Sequence, residues 1–420
     1  MKLVADRSGE IAGFELERPV PGDSSDVYSL SFEGEVVAQK SRVAYVRVGD
    51  PGWVSARTRV DLERPHAAAA HPDLPWAGRS GFKVAITTVR LPTDFEVMLV
   101  AGLEDGREVP LAVVKGRRRR FEPPPHSGPV PLCMTSLGRS GSTWLSDLLD
   151  HHPQIISMHP YRYEPRMSAY WLEVFSTLAE PCSYGQALAT DQLGSNWWTG
   201  TTRLQELPLG VDAAAETWLG GTNVEDLALF CKERIDSFYR GAVPDEYGRA
   251  EFFAEKLWPG SYLQRLLKEL YPGTQEIVLV RDFRDMACSA LAYGRRRGAP
   301  GFGREAVGSD EEYIRGPLLR QARVMLDHWR RLGGYLLRYE DLVLEPTETL
   351  GRMLSHLGLD AGEPTIDAMV SGASRGGDHQ TASSTSASMG RWRTELSDSH
   401  IELFGEGFDE LFEAFGYEPA

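Results

Sequence analysis

Residues 131–145 read PLCMTSLGRSGSTWL. A largely apolar run, 131–137, meets a turn made of Gly138, Arg139, Ser140 and Gly141, and a helical pattern opens at Ser142. Strand, glycine turn and helix is the order that aims the unpaired N–H groups of a helix start at one spot, where the helix dipole favours an anion. The glycines permit close approach, Ser142 and Thr143 add hydroxyl donors, and Arg139 brings positive charge.

The stretch nearly spells a triphosphate loop, which requires glycine, four residues, then Gly-Lys-Ser/Thr. Here no lysine precedes Ser142 or Thr143, and the arginine sits early, between the glycines. That departs from a Mg-ATP site in the residue that matters most. Downstream, apolar runs alternate with amphipathic ones: AEFFAEKL (250–257) then SYLQRLLKELY, and EIVLV (276–280) then DMACSALAYGRRR. GYLLRYE (334–340) comes after a long helical segment, 310–331. Such alternation predicts an α/β fold, a P-loop-like parallel sheet flanked by helices on both faces.

Upstream the pattern is different. The runs VYSLSF, GEVVAQKSRVAYVRV, FKVAITTV, FEVMLVAGL and VPLAVVKG have β-branched or alternating character, and turn signals such as EDG at 104–106 separate them. One short helix is expected near RPHAAAAHP. Residues 1–125 therefore read as a smaller all-β sandwich domain, and 126–420 as the α/β domain. The boundary lies in KGRRRRFEPPPHSGPVP (115–131), whose triple proline continues neither strand nor helix. Its basic run is read as a solvated linker edge rather than a contact for nucleic acid or lipid.

The chain has 420 residues, 42% hydrophobic and 25% charged, with a formal net charge of −15. That balance fits a globular protein with a real core and argues against a general nucleic-acid binder. No run approaches the roughly 18 apolar residues of a membrane helix. The opening MKLVADRSGEIAGF is too short in apolar residues for a secretory leader, and Cys133, Cys182, Cys231 and Cys288 show no metal-like spacing. A reduced, cytoplasmic setting is expected.

A second element adds to the first. In IVLVRDFRDMACSALAYG, Arg281 ends a buried strand and Ser289 follows eight residues later, two turns into the next helix. Together the two elements resemble the nucleotide-binding signatures of PAPS-dependent sulfotransferases. In that family a loop of the form P-[KR]-S-G-[ST]-T-W takes the 5′-phosphosulfate, and a later R-D-P-R-D-x-x-x-S segment takes the 3′-phosphate. Arg139, Ser140, Gly141, Ser142, Thr143 and Trp144 fall on the first; Arg281, Asp282, Arg284, Asp285 and Ser289 fall on the second. Gly138 and Phe283 stand where proline is common. LRYEDLVLEP (337–346) and SMGRWRTELS (388–397) also look like the family's later segments, so the resemblance spans about 131–420. It implies that Ser388 and Arg391, in a segment that folds over the nucleotide, touch its phosphates, and that Trp392 is a packing residue.

The resemblance, closest to the bacterial carbohydrate and tyrosylprotein branch, implies PAPS as donor and PAP as product. Sulfuryl transfer moves a group of low charge, so positioning and cations should suffice without a metal. Arg139 and the helix amides would stabilise the leaving phosphate, and the acceptor hydroxyl needs a base. Three residues are open for that role: Glu164 in HPYRYEPR, Glu255 in FFAEKLWPG, and His159. Ion pairs of Glu164 with Arg166 and of Glu255 with Lys256 are the structural alternatives. The aromatic stretch 182–222, with SNWWTG at its middle, reads as a lid, a sugar platform or a helical cap. Residues 1–125 resemble β-sandwich modules attached to bacterial glycosyltransferases, which points to a small-molecule or glycan hydroxyl as acceptor. The competing readings are a P-loop nucleotide phosphotransferase and a non-catalytic nucleotide- or glycan-binding module. Oligomeric state is not legible in the sequence.

Overall fold

The structure, a computed structural model, describes residues 2–3, 9–50, 53–158, 164–180, 214, 217–241, 250–373, 381–405 and 407–419. Most of the stretch 182–222, and His159, lie outside the described residues. The chain divides into two compact units: 1–122 with 170–233, and 123–169 with 234–420.

The first unit is built on strands β1 (Lys2–Leu3), β2 (Ile11–Arg18), β3 (Ser29–Ala38), β4 (Val43–Asp50), β5 (Trp53–Arg59), β6 (Gly81–Thr87), β7 (Asp94–Leu103) and β8 (Glu108–Arg117). They form two antiparallel sheets, in the orders β1-β8-β7-β4-β5 and β2-β3-β6. Phe32, Val36, Phe82, Val84, Val97, Leu99 and Leu111, drawn from both sheets, belong to one apolar cluster. Three of these strands escape the sequence reading: β1, β2 and β5, each at the edge of its sheet. An edge strand keeps one side in water and needs no continuous apolar run.

Residues 170–233 group with this unit for visible reasons. The Tyr28 amide donates to the Gly220 carbonyl at 2.7 Å, and the Tyr28 hydroxyl to Glu225 at 2.9 Å. Phe121 meets Phe175 edge-on at 5.6 Å. The break between units falls at 122/123, inside the proline stretch. Most of the basic run is neutralised locally: Lys115 pairs with Glu96, Arg117 with Asp94 at 2.6 Å, and Arg119 with Glu225 at 2.9 Å. The buried Arg118 donates to the Leu91 carbonyl at 2.8 Å.

The second unit holds β9 (Val130–Ser136), β10 (Ile155–Ile156), β11 (Phe252–Leu257), β12 (Gln275–Val280) and β13 (Tyr335–Arg338). All are parallel, in the order β10-β11-β9-β12-β13. Side chains on β12 alternate: Ile277 and Leu279 join a cluster with the helices Ser142–Asp150 and Pro346–Leu357, while Val278 and Val280 join one with Phe283–Arg297 and Leu319–Leu332. Both faces are thus covered, which is why the strands read as unbroken apolar runs. The central strand β9 has β11 on one side and β12 on the other, and chain order reverses around it. At such a switch point, ligands gather beyond the carboxyl ends of the strands. Among the described residues no helix is long and apolar enough to cross a membrane.

One polar network is buried under this sheet. Glu276 accepts from Thr135 Oγ1 at 2.6 Å, from Lys268 at 2.8 Å and from His328 Nε2 at 2.5 Å. His328 Nδ1 accepts the Gly260 amide at 3.1 Å, which leaves its Nε2 to carry the hydrogen. Burial pushes the Glu276 carboxyl up, but His328 and Lys268 outweigh it and hold it below the usual carboxylate range. A depressed folded pKa contributes stability above the unfolded value and loses it as pH falls through the folded one. His328→Ala should therefore cost about 1–3 kcal/mol at neutral pH, read as a shift in the urea midpoint. It should also shrink the loss of stability in acid, and an unchanged midpoint would show the network to be dispensable.

Candidate active site

The turn after β9 is tight because of what packs on it. Arg139 has φ 69° and Gly141 φ 94°, both in the left-handed region. A Cβ on Gly141 would lie 2.4 Å from the Tyr339 ring, and one on Gly138 2.4 Å from the Phe302 ring. A proline at 138 would meet the same ring, so the exchange from the common pattern has a steric cause. The Ser140 hydroxyl donates to the Leu137 carbonyl at 2.9 Å, so it closes the turn rather than facing out. The helix Ser142–Asp150 has Gly141 as its N-cap, with no side chain to cap the first amides. Those amides are open to an anion.

Around this helix start, residues far apart in sequence converge. Arg139 Nε donates to Ser289 Oγ at 3.0 Å, and its guanidinium lies 4.8 Å from the Tyr293 ring. Ser289 Oγ is 3.2 Å from Thr381 Oγ1, which also accepts from Arg391 at 2.9 Å. Arg281 donates to the carbonyls of Arg139, at 3.0 Å, and Ser388, and stacks at 4.8 Å on Tyr339. Its buried Nε has no hydrogen-bond partner among the described residues. Ser388 Oγ and the Tyr339 hydroxyl are 2.9 Å apart. Arg391 is held by Glu395 at 2.7 and 2.9 Å. Trp144 meets Tyr339 edge-on at 5.9 Å and joins the apolar cluster beside it, while Ser142 is buried. Arg139, Arg281, Ser289, Ser388 and Arg391 are therefore brought together, with Trp144 as packing. Burial, then the neighbouring Arg281, pulls the Arg139 guanidinium down to about 10.

The base candidates part company. Glu164 Oε1 accepts from Thr143 Oγ1 at 3.0 Å, which fixes it beside the turn. Its Oε2 is buried with no hydrogen-bond partner among the described residues, 3.6 Å from the exposed Arg166 guanidinium. Glu255 faces elsewhere: its oxygens accept from the Ser168 amide at 2.8 Å, the Ser168 and Tyr239 hydroxyls, and the Ala169 amide at 3.4 Å. Burial raises the Glu255 carboxyl despite these bonds. It has no open lone pair to offer a substrate without losing one of them.

Lys256 is the residue that sequence reasoning missed. As a sequence neighbour it reads as an ion-pair partner of Glu255, yet neighbours on a strand point to opposite faces. Burial lowers the Lys256 ammonium, Glu164 opposes that, and Arg166 and Arg139 add to it, so Lys256 lies in the same field as the candidate base. The period of two along β11 was the available signal. Thr381 also escapes the sequence reading, and nothing local in TASSTSASMG (381–390) singles it out.

A cluster of cations at an open helix start, beside one buried carboxylate oxygen, suits transfer of an anionic group from a ligand with more than one phosphate. A family model described as "Sulfotransferase family" matches residues 131–363. The chain belongs to the sulfotransferase family. Among solved structures it is similar to the sulfotransferase domain of the curacin biosynthetic pathway (15% identity, 70% of this chain, 100% of that one, TM-score 0.35). A mouse sulfotransferase complexed with PAP is 12% identical over 68% of this chain and 83% of its own, with TM-score 0.37. Retinol dehydratase in complex with androsterone and PAP is 15% identical over 77% and 91%, with TM-score 0.35. No curated protein sequence matches the chain.

The turn's geometry carries its own test in this sulfotransferase. Gly141→Ala puts a side chain at φ 94° and into the Tyr339 ring, so it should destabilise by more than about 1 kcal/mol. Thermal unfolding measures this, and a neutral effect would mean that the turn relaxes freely.

Proposed function

We propose that the protein transfers a sulfuryl group from PAPS to a hydroxyl of a saccharide or glycoconjugate, with Glu164 as general base. The observation that carries this reading is the Glu164 carboxylate. One oxygen is tied to Thr143 in the turn, and the other is buried without a hydrogen bond among the described residues. In the step, the acceptor oxygen bonds to sulfur as the bond from sulfur to the bridging oxygen breaks. The acceptor proton passes to Glu164 Oε2, and the leaving PAP takes the electron pair. Arg139 and the first helix amides oppose the charge that grows on the bridging oxygen. Arg281, Ser289, Ser388 and Arg391 hold the second phosphate. The saccharide class rests on the resemblance of residues 1–125 to glycosyltransferase-associated modules.

Glu164→Gln keeps the shape and the Thr143 contact but removes the proton acceptor. Turnover of labelled PAPS with a glycan panel should fall by about 10²–10⁴, with PAP affinity unchanged by calorimetry. Normal turnover in this variant would remove Glu164 from the role.

A further inference from the structure

Glu255 is 2% exposed and its two oxygens take bonds from Ser168, Ala169 and Tyr239, outside the cation cluster. Two of the donors are first-turn amides of the helix Met167–Leu178. Such amides lack intrahelical partners, and a carboxylate facing them is favoured by the helix dipole. Glu255 therefore caps this helix from a strand almost ninety residues downstream in sequence. Between Glu164 and Ser168 stand only Pro165, Arg166 and Met167. Proline fixes its own φ and restricts the residue before it, which is Glu164. A short, stiff link thus joins the candidate base to the point that Glu255 clamps. The next residue on the same strand, Lys256, turns to the other face, toward the field of Glu164.

We infer that Glu255 is a positioning residue: it fixes the Glu164 carboxylate at the phosphosulfate turn by clamping the helix that follows it. This rests on Glu164 as the base. It gives β11 two tasks from adjacent positions, a clamp on one face and a cation on the other.

A double-mutant cycle tests it, with labelled PAPS and water as the acceptor so that no glycan need be known. Glu255→Gln keeps the volume but sets an amide against donors. Misplacing a reacting group by about 1 Å costs on the order of 10²-fold, so kcat should fall by about 10–100-fold while KM for PAPS stays constant. In the Glu164→Gln background the same change should cost nothing further. Tyr239→Phe, which removes one of the bonds and keeps the ring, should show a smaller loss that vanishes in the same background. It serves if the first variant does not fold. Full kcat in Glu255→Gln and in Tyr239→Phe, or losses that multiply in the double variants, would overturn the inference while leaving Glu164 as base. Full turnover in Glu164→Gln alone would overturn the base assignment and this inference with it.

Discussion

One buried guanidinium ties the active-site loops together. Arg281 directly follows β12 and donates to carbonyls 142 and 107 residues away in sequence, those of Arg139 and Ser388. Its neighbours extend the tie: Asp285 accepts the Gly390 and Trp392 amides at 2.7 and 3.1 Å, and Glu340 accepts the Asp282 amide at 3.0 Å and the Tyr417 hydroxyl at 2.8 Å. Closing such long loops costs entropy, and charge-assisted hydrogen bonds offset it. The arrangement leaves positive charge in excess at the helix start. Burial works against that excess, drawing down the Arg139 guanidinium and the Lys256 ammonium.

How the fold reads from sequence depends on burial. The parallel strands are covered on both faces, so their apolar runs announce them, and the order of strand and helix announces the class. The missed edge strands β1, β2 and β5 carry no such run. Nor does local pattern show that 170–233 packs with the first unit, because its ties, Gly220 and Glu225 to Tyr28, are long-range. Strand β10 is only Ile155 and Ile156, at the sheet edge, too short to stand out as a run.

The site was legible to the extent that chemistry is written in motifs. The turn and the Arg281 segment stand out as residue strings, and the structure brings them within hydrogen-bond distance of each other. What the strings do not state is direction. Ser140 carries a hydroxyl that looks like a ligand and is spent on the Leu137 carbonyl. Glu255 looks like a base and is filled by Ser168, Ala169 and Tyr239, whereas Lys256, one residue on, lies in the field of Glu164 and Arg139. Only strand parity separates them, and parity needs the register of β11 against β9, where Lys256 lies opposite Met134.

The central claim is that Arg281, besides tying the loops, lends its charge to the proposed 3′-phosphate site. Calorimetry of PAP and of adenosine 5′-phosphosulfate, which lacks that phosphate, on the unaltered chain and on Arg281→Ala tests it most directly. Both ligands feel the lost tie, but PAP should lose about 1.5–3 kcal/mol more than the other. Equal losses for the two ligands would contradict the account and leave Arg281 as a tie alone.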